Sequence, residues 1–384
     1  MKEKLYMDYS ASAPLLGEVA DTLLEVTRQI YSNPSSLHEG GIQAAKLIQR
    51  SRTLVAEKLG TVSGNWLFTS GGTESNNLAV KGAARQYRNR GNHIITTAIE
   101  HASVYESMLQ LQEEGFKVTF LPVGREGHVS VSDVEAALTD ETILVSIMHV
   151  NNEIGTVQPI QEIGRLLSSR PRTLFHVDAV QSIGKLPLDI EGCGIHLLSA
   201  SAHKLGGPRG VGLLYVKEGI TLQPLLSGGS QEFGLRPGTE NVPSIVAAAK
   251  AVRLAAEGAE ASAAAMKPLR DKLRAFAEAT PELKVNGAEP LAPHIVHFSY
   301  PGMKPEVIIH MLEQHGILAS TRSACSSKDS KPSRVLLALG ASPSQASGGV
   351  RISFGDCHRE AHVDVLIKAL ESIISQLKHL ERST

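Results

Sequence analysis

The apolar positions of the chain alternate between a helical spacing and short continuous runs. Residues 43–59 carry apolar side chains at the spacing of one helix face, which predicts a helix. Runs rich in β-branched and aromatic residues predict strands at 66–69, 93–97, 117–121, 142–148, 173–177, 196–199 and 211–216. Helices are predicted between them at 77–80, 102–113 and 160–168. This alternation is typical of an α/β fold whose mostly parallel central sheet has helices on both faces.

The pattern changes near residue 243. Residues 246–266 are rich in alanine and predict a long helix, which Pro268 restarts or kinks. Beyond it we expect a strand at 295–298, a helix at 306–315, a polar stretch at 320–331, a strand at 350–354 and an amphipathic helix at 361–380. This order predicts a smaller α/β C-terminal domain. We expect a large domain over 15–258 and a small domain formed by 1–14 and 259–384.

Composition and charge exclude several classes of protein. Of the 384 residues 42% are hydrophobic and 20% charged, as in an ordinary globular protein, and the net charge of −1 predicts no direct binding to nucleic acid or to an anionic membrane. The first residues have no apolar run of the secretory type, and no apolar stretch approaches the roughly 20 residues of a membrane span. We therefore expect a cytoplasmic protein.

The chain has three cysteines, Cys193, Cys325 and Cys357, which are widely spaced and form no CxxC pair. Neither a metal site nor a disulfide framework is predicted. Cys325 lies in the small, polar stretch 320–331, where nearby cations would favour the thiolate. These cations are Arg322, Lys328 and Lys331. The surroundings of the other two cysteines do not suggest a nucleophile.

Lys204 follows a predicted buried strand and precedes a Gly-Gly-Pro turn. Two interpretations stay open from the residues alone. The side chain is either an ordinary surface lysine in a loop or a desolvated amine that binds an aldehyde cofactor covalently. Ser201 and His203 beside it are both suitable phosphate donors.

Asp178 stands at the end of an apolar strand, where it either caps the next helix or holds a pyridine nitrogen in its protonated state. Gln181, three residues further on, could reach a phenolic oxygen on the same ring. The gap of about 25 residues to Lys204 leaves room for one intervening strand. Both side chains can therefore lie along the same sheet edge.

Three further polar segments follow predicted strands. Residues 70–77, with Gly72 and Thr73, join a strand to a helix and predict either an anion site or a plain tight turn. His101 is either structural or able to stack on a cofactor ring and move protons. Asn152 lies in a polar cluster suited to bind a ring substituent or a substrate.

Taken together, these segments closely resemble the NifS/IscS-like cysteine desulfurases, in the class V aminotransferase group of pyridoxal-phosphate enzymes. The likeness covers nearly the whole chain and also includes residues 8–14, 33–38, 238–241, 323–325, 332–336 and 351–355. Any one of these matches would be weak, but in this order they are strongly specific. The resemblance implies the type I fold of pyridoxal-phosphate-dependent transferases.

The resemblance also implies a role for each residue at a cofactor site. Lys204 would hold pyridoxal 5'-phosphate covalently, His101 would stack over its ring, Asp178 would bind the ring nitrogen and Gln181 the phenolic oxygen. Asn152 would contact both cofactor and substrate. The phosphate would be held by Gly72, Thr73, Ser201, His203 and, from the partner subunit of a homodimer, Thr239.

The activity implied is removal of sulfur from L-cysteine. Arg351 would grip the substrate carboxylate and Cys325 would take the sulfur as a persulfide, releasing L-alanine. The acceptor would be an iron–sulfur scaffold, a tRNA-thiolation enzyme or a cofactor pathway. Alternatives are a selenocysteine lyase, a small-molecule class V aminotransferase or a non-catalytic sulfur-carrier scaffold. The chain departs from the commonest family pattern at Ser10, Ser12, His196 and Arg322.

Overall fold

The computed structural model describes residues 4–321 and 331–381. In chain order its strands are β1 (Leu5–Tyr6), β2 (Asn65–Thr69), β3 (His93–Thr97), β4 (Lys117–Leu121), β5 (Thr142–Met148), β6 (Leu174–Asp178), β7 (Leu197–Ser201), β8 (Gly212–Val216), β9 (Lys284–Val285), β10 (Ile295–Ser299), β11 (Ile317–Leu318) and β12 (Gly349–Ser353). Its α-helices are α1 (Gly17–Gln29), α2 (Glu39–Lys58), α3 (Gly72–Gln86), α4 (Ala102–Glu113), α5 (Val131–Ala137), α6 (Ile160–Leu167), α7 (Val242–Ala279), α8 (Pro305–Gln314), α9 (Arg334–Ala338), α10 (Pro343–Ser347) and α11 (Glu360–Glu381).

The central sheet has seven strands in the order β2-β8-β7-β6-β5-β3-β4. The neighbours from β7 to β4 are all parallel, whereas β8 runs antiparallel to both β2 and β7. Every residue of β5, β6 and β7 is buried, as expected of parallel strands covered on both faces. The predicted, mostly parallel α/β sheet is confirmed.

Helices cover both faces of this sheet. Val145 and Ile147 of β5 belong to an apolar cluster that includes residues of α2, α6 and α7, while Leu144 belongs to another cluster with residues of α3 and α4. Alternate side chains of one strand thus enter opposite layers, which follows from the two-residue period of a β-strand. The carboxyl ends of the parallel strands stay free for a site.

A second, smaller α/β unit follows. Its antiparallel sheet has the order β12-β10-β9, and its core contains residues of α7, α8 and α11. β1 pairs in parallel with β11, and Met7 is buried in this core, so residues 5–7 pack with the C-terminal unit. None of the helices in the described ranges is long and apolar enough to cross a membrane.

Helix α7 joins the two cores. Ile245 and Val252 in its first half pack under the central sheet, while Met266 and Leu273 in its second half pack in the smaller unit. The helix continues through Pro268, so the predicted restart at this proline is wrong. The domain boundary that we place near residue 258 falls inside this helix and stays a prediction.

Candidate active site

One cavity lies at the carboxyl edge of the central sheet. Its walls contain ten of the twelve residues that the sequence singles out: Gly72, Thr73, His101, Asn152, Asp178, Gln181, Ser201, His203, Lys204 and Arg351. These residues are spread over 280 positions of the chain but come together because strands β2, β3, β5, β6 and β7 all end at this edge, where β12 of the smaller unit adds Arg351. The structure thus brings these polar segments together at one edge, while the role of each residue stays a prediction.

Two predicted residues are not among those lining the cavity. Thr239 is exposed on the stretch before α7. Cys325 lies outside the described residues, as do Arg322 and Lys328, so their predicted roles stay predictions. Cys193 is buried, whereas Cys357 is exposed with its Sγ 3.0 Å from the hydroxyl oxygen of Tyr9.

Lys204 ends a short 3-10 turn that follows β7 directly. Its Nζ donates hydrogen bonds to the backbone carbonyls of Ser10 and Ala11, the latter at 2.8 Å. The amine is therefore held in the cavity by the N-terminal segment, and the interpretation of Lys204 as a surface lysine is wrong. Beside it, Nδ1 of His203 lies 3.4 Å from the hydroxyl oxygen of Ser12.

Asp178 is the last residue of β6 and is buried. Its Oδ1 accepts from the backbone N–H of Val180 at 3.0 Å, and its Oδ2 accepts from Nδ2 of Asn76 at 2.7 Å. Because one oxygen secures the following turn and the other is oriented by an amide, the carboxylate has a fixed direction. Such a fixed anion can bind the protonated nitrogen of a pyridine ring.

The corner formed by α3 and β7 suits an anion. Helix α3 begins at Gly72, and an added Cβ there would lie 2.9 Å from Cγ2 of Val180 and 3.5 Å from Cβ of Ser201. Ser201 Oγ is buried and has no hydrogen-bond partner among the residues that the structure describes. Helix N-terminal amides with a buried, unpartnered hydroxyl form a site for a phosphate group.

The histidines of the cavity are neutral near neutral pH. Burial lowers the pKa of His203 to about 4, and the neighbouring charges of Lys204 and Arg209 act in the same direction. Burial also lowers the pKa of His101, against the opposing effect of the Asp178 carboxylate. The neutral rings can therefore donate one hydrogen bond each and stack on an aromatic group.

Arg351 enters the cavity from β12 and only 1% of it is exposed. Its Nη2 forms an ion pair with Oδ1 of Asp8 at 2.9 Å, and its Nη1 donates to the backbone carbonyl of Asn152 at 2.7 Å. Its Nε is buried without a hydrogen-bond partner in the described part of the chain. The guanidinium thus has an oriented, unused donor with which it can bind a carboxylate.

The residues on either side of the segment that contains Cys325 are fixed beside this cavity. Ser320 forms backbone hydrogen bonds with Arg351 in both directions, at 3.3 and 2.7 Å. On the other side of the segment, Ser333 Oγ donates to Oε2 of Glu153 at 2.6 Å, and Glu153 follows Asn152 directly in the sequence. Arg334 then donates to the backbone carbonyls of residues 98 and 100. Both attachment points of the segment therefore lie close to cavity residues.

Sequence reasoning missed several residues that shape the site. Asp8 and Ser10 lie within the N-terminal motif, Asn76 lies one helical turn after Gly72, and Ser103 is two residues after His101. Their positions beside predicted site residues were a usable signal. Glu100 was also missed: its Oε1 accepts from Thr97 and from the backbone N–H of residue 148, and burial raises its pKa to about 8.

The donor set fits pyridoxal 5'-phosphate, because an anion corner, a fixed carboxylate, a neutral histidine and a lysine amine face one cavity. These groups suit an organic, phosphate-bearing molecule. In the described residues no group of three or more histidine, cysteine, aspartate or glutamate side chains could hold a metal ion.

Comparison with known proteins agrees with this geometry. Residues 5–366 match the family described as Aminotransferase class-V, so the chain belongs to the class V aminotransferase family. It is 42% identical to the cysteine desulfurase IscS of Clostridium botulinum, over 99% of this chain and 96% of that protein.

Solved structures give the same relationship. A NifS-like protein superposes with a TM-score of 0.90 at 37% identity, covering 97% of this chain and 99% of its own. The structure titled SspA in complex with cysteine has a TM-score of 0.79 at 34% identity, covering 91% of this chain and 99% of its own. This chain therefore has the type I fold of the class V pyridoxal-phosphate enzymes.

Proposed function

We propose that the chain is a pyridoxal-phosphate-dependent cysteine desulfurase that converts L-cysteine to L-alanine and retains the sulfur as a persulfide on Cys325. The single observation that carries the proposal is the convergence of Lys204, Asp178, His101 and Arg351 on one cavity. Similar chains that bear the name cysteine desulfurase support it over nearly the full length.

The cofactor would be held at three points. Lys204 would bind its aldehyde carbon, Asp178 its ring nitrogen, and the corner of Gly72, Thr73 and Ser201 its phosphate, with His203 and, from a second subunit, Thr239 as further donors. Gln181 would bind the phenolic oxygen, and His101 would stack on the ring. Bound there, the cofactor supplies an electron sink that weakens the bonds around the α-carbon of an amino acid.

The substrate carboxylate would be bound by Arg351. The guanidinium is already oriented by Asp8 and by the carbonyl of Asn152, so little conformational freedom is lost when the substrate arrives. Its positive charge also balances the negative charge of the substrate carboxylate. Asn152 would add a contact to the substrate or the ring.

Cys325 would perform the sulfur transfer. Its thiolate attacks the substrate sulfur, so that a sulfur–sulfur bond forms while the carbon–sulfur bond of the substrate breaks. The electron pair of that bond and a proton go to the carbon, and the products are L-alanine and a Cys325 persulfide. Cys325 is five residues beyond Ser320, and five residues span at most about 18 Å. Because Ser320 pairs with Arg351, a segment of this length would allow the thiol to reach the cavity.

We also propose the surroundings in which this chemistry takes place. The persulfide would pass to an acceptor protein of iron–sulfur cluster, tRNA-thiolation or cofactor biosynthesis in the cytoplasm. A homodimer would bring Thr239 of one subunit to the phosphate corner of the other, which accounts for its exposed position away from its own cavity. The large domain over 15–258 would hold the cofactor, and the small domain would carry the cysteine.

The proposal is tested by measuring alanine and sulfide released from L-cysteine in the presence of a thiol reductant. Lys204→Ala should lose the yellow cofactor absorbance and all turnover. Cys325→Ser should keep the absorbance but stop sulfur release, whereas Cys357→Ser serves as the matched cysteine control and should remain active.

Two outcomes would favour other functions. Amino-group transfer to a 2-oxo acid with no sulfur released would indicate an aminotransferase, and turnover of selenocysteine but not cysteine would indicate a selenocysteine lyase. Full desulfuration by the Cys325→Ser variant would contradict the proposed persulfide.

A further inference from the structure

An unbroken chain of hydrogen bonds joins Asp178 to His101 through Asn76 and Ser103. Nδ2 of Asn76 lies 2.7 Å from Oδ2 of Asp178 and 2.9 Å from Oγ of Ser103. Oγ of Ser103 in turn lies 2.8 Å from Nδ1 of His101. Asn76 and Ser103 are both buried. The chain therefore links the carboxylate and the imidazole that line the cofactor cavity.

Every bond in this chain has a defined direction. His101 caps helix α4, and its Nδ1 accepts from the backbone N–H of Ser103 at 3.2 Å, so Nδ1 carries no proton in the neutral ring. The Ser103 hydroxyl must then donate to Nδ1, and its oxygen accepts from Asn76. The second N–H of Asn76 points to Asp178, because a carboxylate only accepts. The neutral ring of His101 consequently carries its proton on Nε2.

We propose that Ser103 and Asn76 are positioning residues that hold His101 as its Nε2–H tautomer and connect its ring to the Asp178 carboxylate. The catalytic consequence rests on the proposed function, but the tautomer is a property of the folded chain itself. With Nδ1 engaged by two donors, His101 can exchange a proton with a bound substrate only at Nε2. Protonation of Nδ1 would break the bond from the backbone N–H of Ser103 and would require the Ser103 hydroxyl to reverse from donor to acceptor, so these hydrogen bonds also favour the neutral ring.

The charged groups around His101 set the background against which Ser103 acts. The carboxylate of Asp178 favours a charged ring, whereas Lys204, Arg334 and Arg351 disfavour it. None of these side chains changes when the hydroxyl of Ser103 is removed. A change in the pH dependence of a Ser103 variant can therefore be attributed to the lost O–H donor, which leaves Nδ1 freer to take a proton and raises the pKa of His101.

The test compares holoenzyme variants by nitrogen-detected histidine spectra and by the pH profile of kcat. Ser103→Ala removes the donor, Ser103→Thr keeps a hydroxyl at the same atom, and Ser107→Ala is the matched control. Ser107 is buried one turn further along α4. Its Oγ donates to the backbone carbonyl of Ser103 and takes no part in the hydrogen bonds that join Asp178 to His101. Loss of one signal in His101→Gln assigns the ring of His101.

We expect the Nε2–H tautomer of His101, with Nδ1 unprotonated, in the native protein, Ser103→Thr and Ser107→Ala. In Ser103→Ala the backbone N–H of residue 103 still donates to Nδ1, so the neutral ring keeps this tautomer, but spectra recorded across the pH range should show protonation of Nδ1 beginning at a higher pH. In the Ser103→Ala variant kcat should fall about tenfold, as for one lost hydrogen bond in a buried site. The acidic limb of its profile should also move to higher pH, while its KM for L-cysteine stays the same.

Native-like spectra and pH profile in Ser103→Ala would overturn the proposal, as would an equal effect of Ser107→Ala. Because the spectra do not depend on turnover, they report on the tautomer even if the native protein proves inactive on L-cysteine. An inactive protein with the expected tautomer would therefore contradict the proposed function and leave this inference standing. A protein that is active on L-cysteine, but whose Ser103→Ala variant has native spectra and a native pH profile, would support the proposed function and contradict this inference.

Discussion

At the scale of single residues, Arg351 combines a structural ion pair with an unused donor. Arg351 itself is buried, and its Nη2 lies 2.9 Å from Oδ1 of the partly buried Asp8, so removal of either partner leaves an unbalanced charge. Arg351→Ala should raise KM for L-cysteine about 10- to 150-fold, the range for a lost hydrogen-bonded charge. The KM of Arg351→Lys should lie between that of the native protein and that of Arg351→Ala, since lysine keeps the positive charge but lacks the planar pair of donors of the guanidinium.

Steady-state kinetics with cofactor absorbance recorded on the same samples checks this prediction. Arg359→Ala is a matched control, because Arg359 is an exposed arginine of the same unit whose Nη1 donates to nearby backbone carbonyls. An unchanged KM in Arg351→Ala, with the cofactor still bound, would show that the substrate carboxylate is held elsewhere.

Glu100 predicts a pH dependence of stability. Burial raises its pKa from 4.5 to about 8, so between these values the folded chain keeps a proton that the unfolded chain releases. The free energy of unfolding therefore falls as pH rises through this window. Glu100→Gln has no such titration, and its stability relative to the native protein should increase by about 2–4 kcal/mol between about pH 5 and pH 8.

Urea unfolding of the two proteins at both pH values measures the difference. Glu135→Gln, which removes an exposed carboxyl on α5, controls for the change in net charge and should follow the native curve. A constant difference between native and Glu100→Gln proteins would mean that Glu100 is ionised across the range.

At the scale of elements, the start of helix α3 determines the phosphate corner. A methyl group on residue 72 would lie 2.9 Å from Cγ2 of Val180 and push the first turn away from Ser201. Gly72→Ala should therefore weaken binding of pyridoxal 5'-phosphate at least about tenfold, equivalent to about 1.4 kcal/mol. Titration of the apoprotein with pyridoxal 5'-phosphate measures this change in affinity.

Gly258→Ala is the control for a glycine-to-alanine change in a helix. An added Cβ at residue 258 of α7 meets nothing within 4 Å, so this variant should bind the cofactor normally and gain about 0.5–1 kcal/mol of stability. Equal cofactor affinity in both variants would place the phosphate away from α3.

Elements with an unambiguous local pattern were predictable from the sequence. Strands β3, β4 and β5 and helix α4 have the predicted bounds, because continuous apolar runs and a regular helical face leave little choice. Helix α1 was missed because only Val19 and Val26 of its residues are buried, which gives a weak periodic signal. Helix α7 extends past Pro268 because packing in both cores outweighs one lost backbone hydrogen bond.

At the scale of the whole molecule, the site was predictable where it follows from sheet topology. Polar residues after parallel strands meet at one edge, which is why Asp178, Ser201 and Lys204 could be grouped from the order of the predicted strands alone. Contacts across the two units could not be predicted in this way. The positions of Asp8 and Ser10 beside Arg351 and Lys204 depend on how the N-terminal segment crosses the cavity, which no local pattern encodes.

The proposed dimer also belongs to this scale. Leu37 is 95% exposed and Tyr31 88%, an unusual display of large apolar side chains near the start of α2. Leu37→Glu should shift the protein to monomers in sedimentation and lower its cofactor occupancy on dilution, because Thr239 then no longer reaches a second subunit. Val62→Glu is the control. Val62 is 91% exposed and lies outside the segments that resemble the family, so this variant should keep both the native oligomeric state and the native cofactor occupancy. A fully loaded native monomer would contradict the dimer.

A single-turnover experiment decides whether this one cavity passes the sulfur of L-cysteine to Cys325. The holoenzyme is mixed with sulfur-labelled L-cysteine without reductant, quenched, alkylated and digested, and the three cysteine peptides are analysed by mass spectrometry. We expect one labelled sulfur added to Cys325, none to Cys193 or Cys357, and an equal amount of alanine. Alanine formed without label on Cys325, or label on another cysteine, would contradict the proposed transfer.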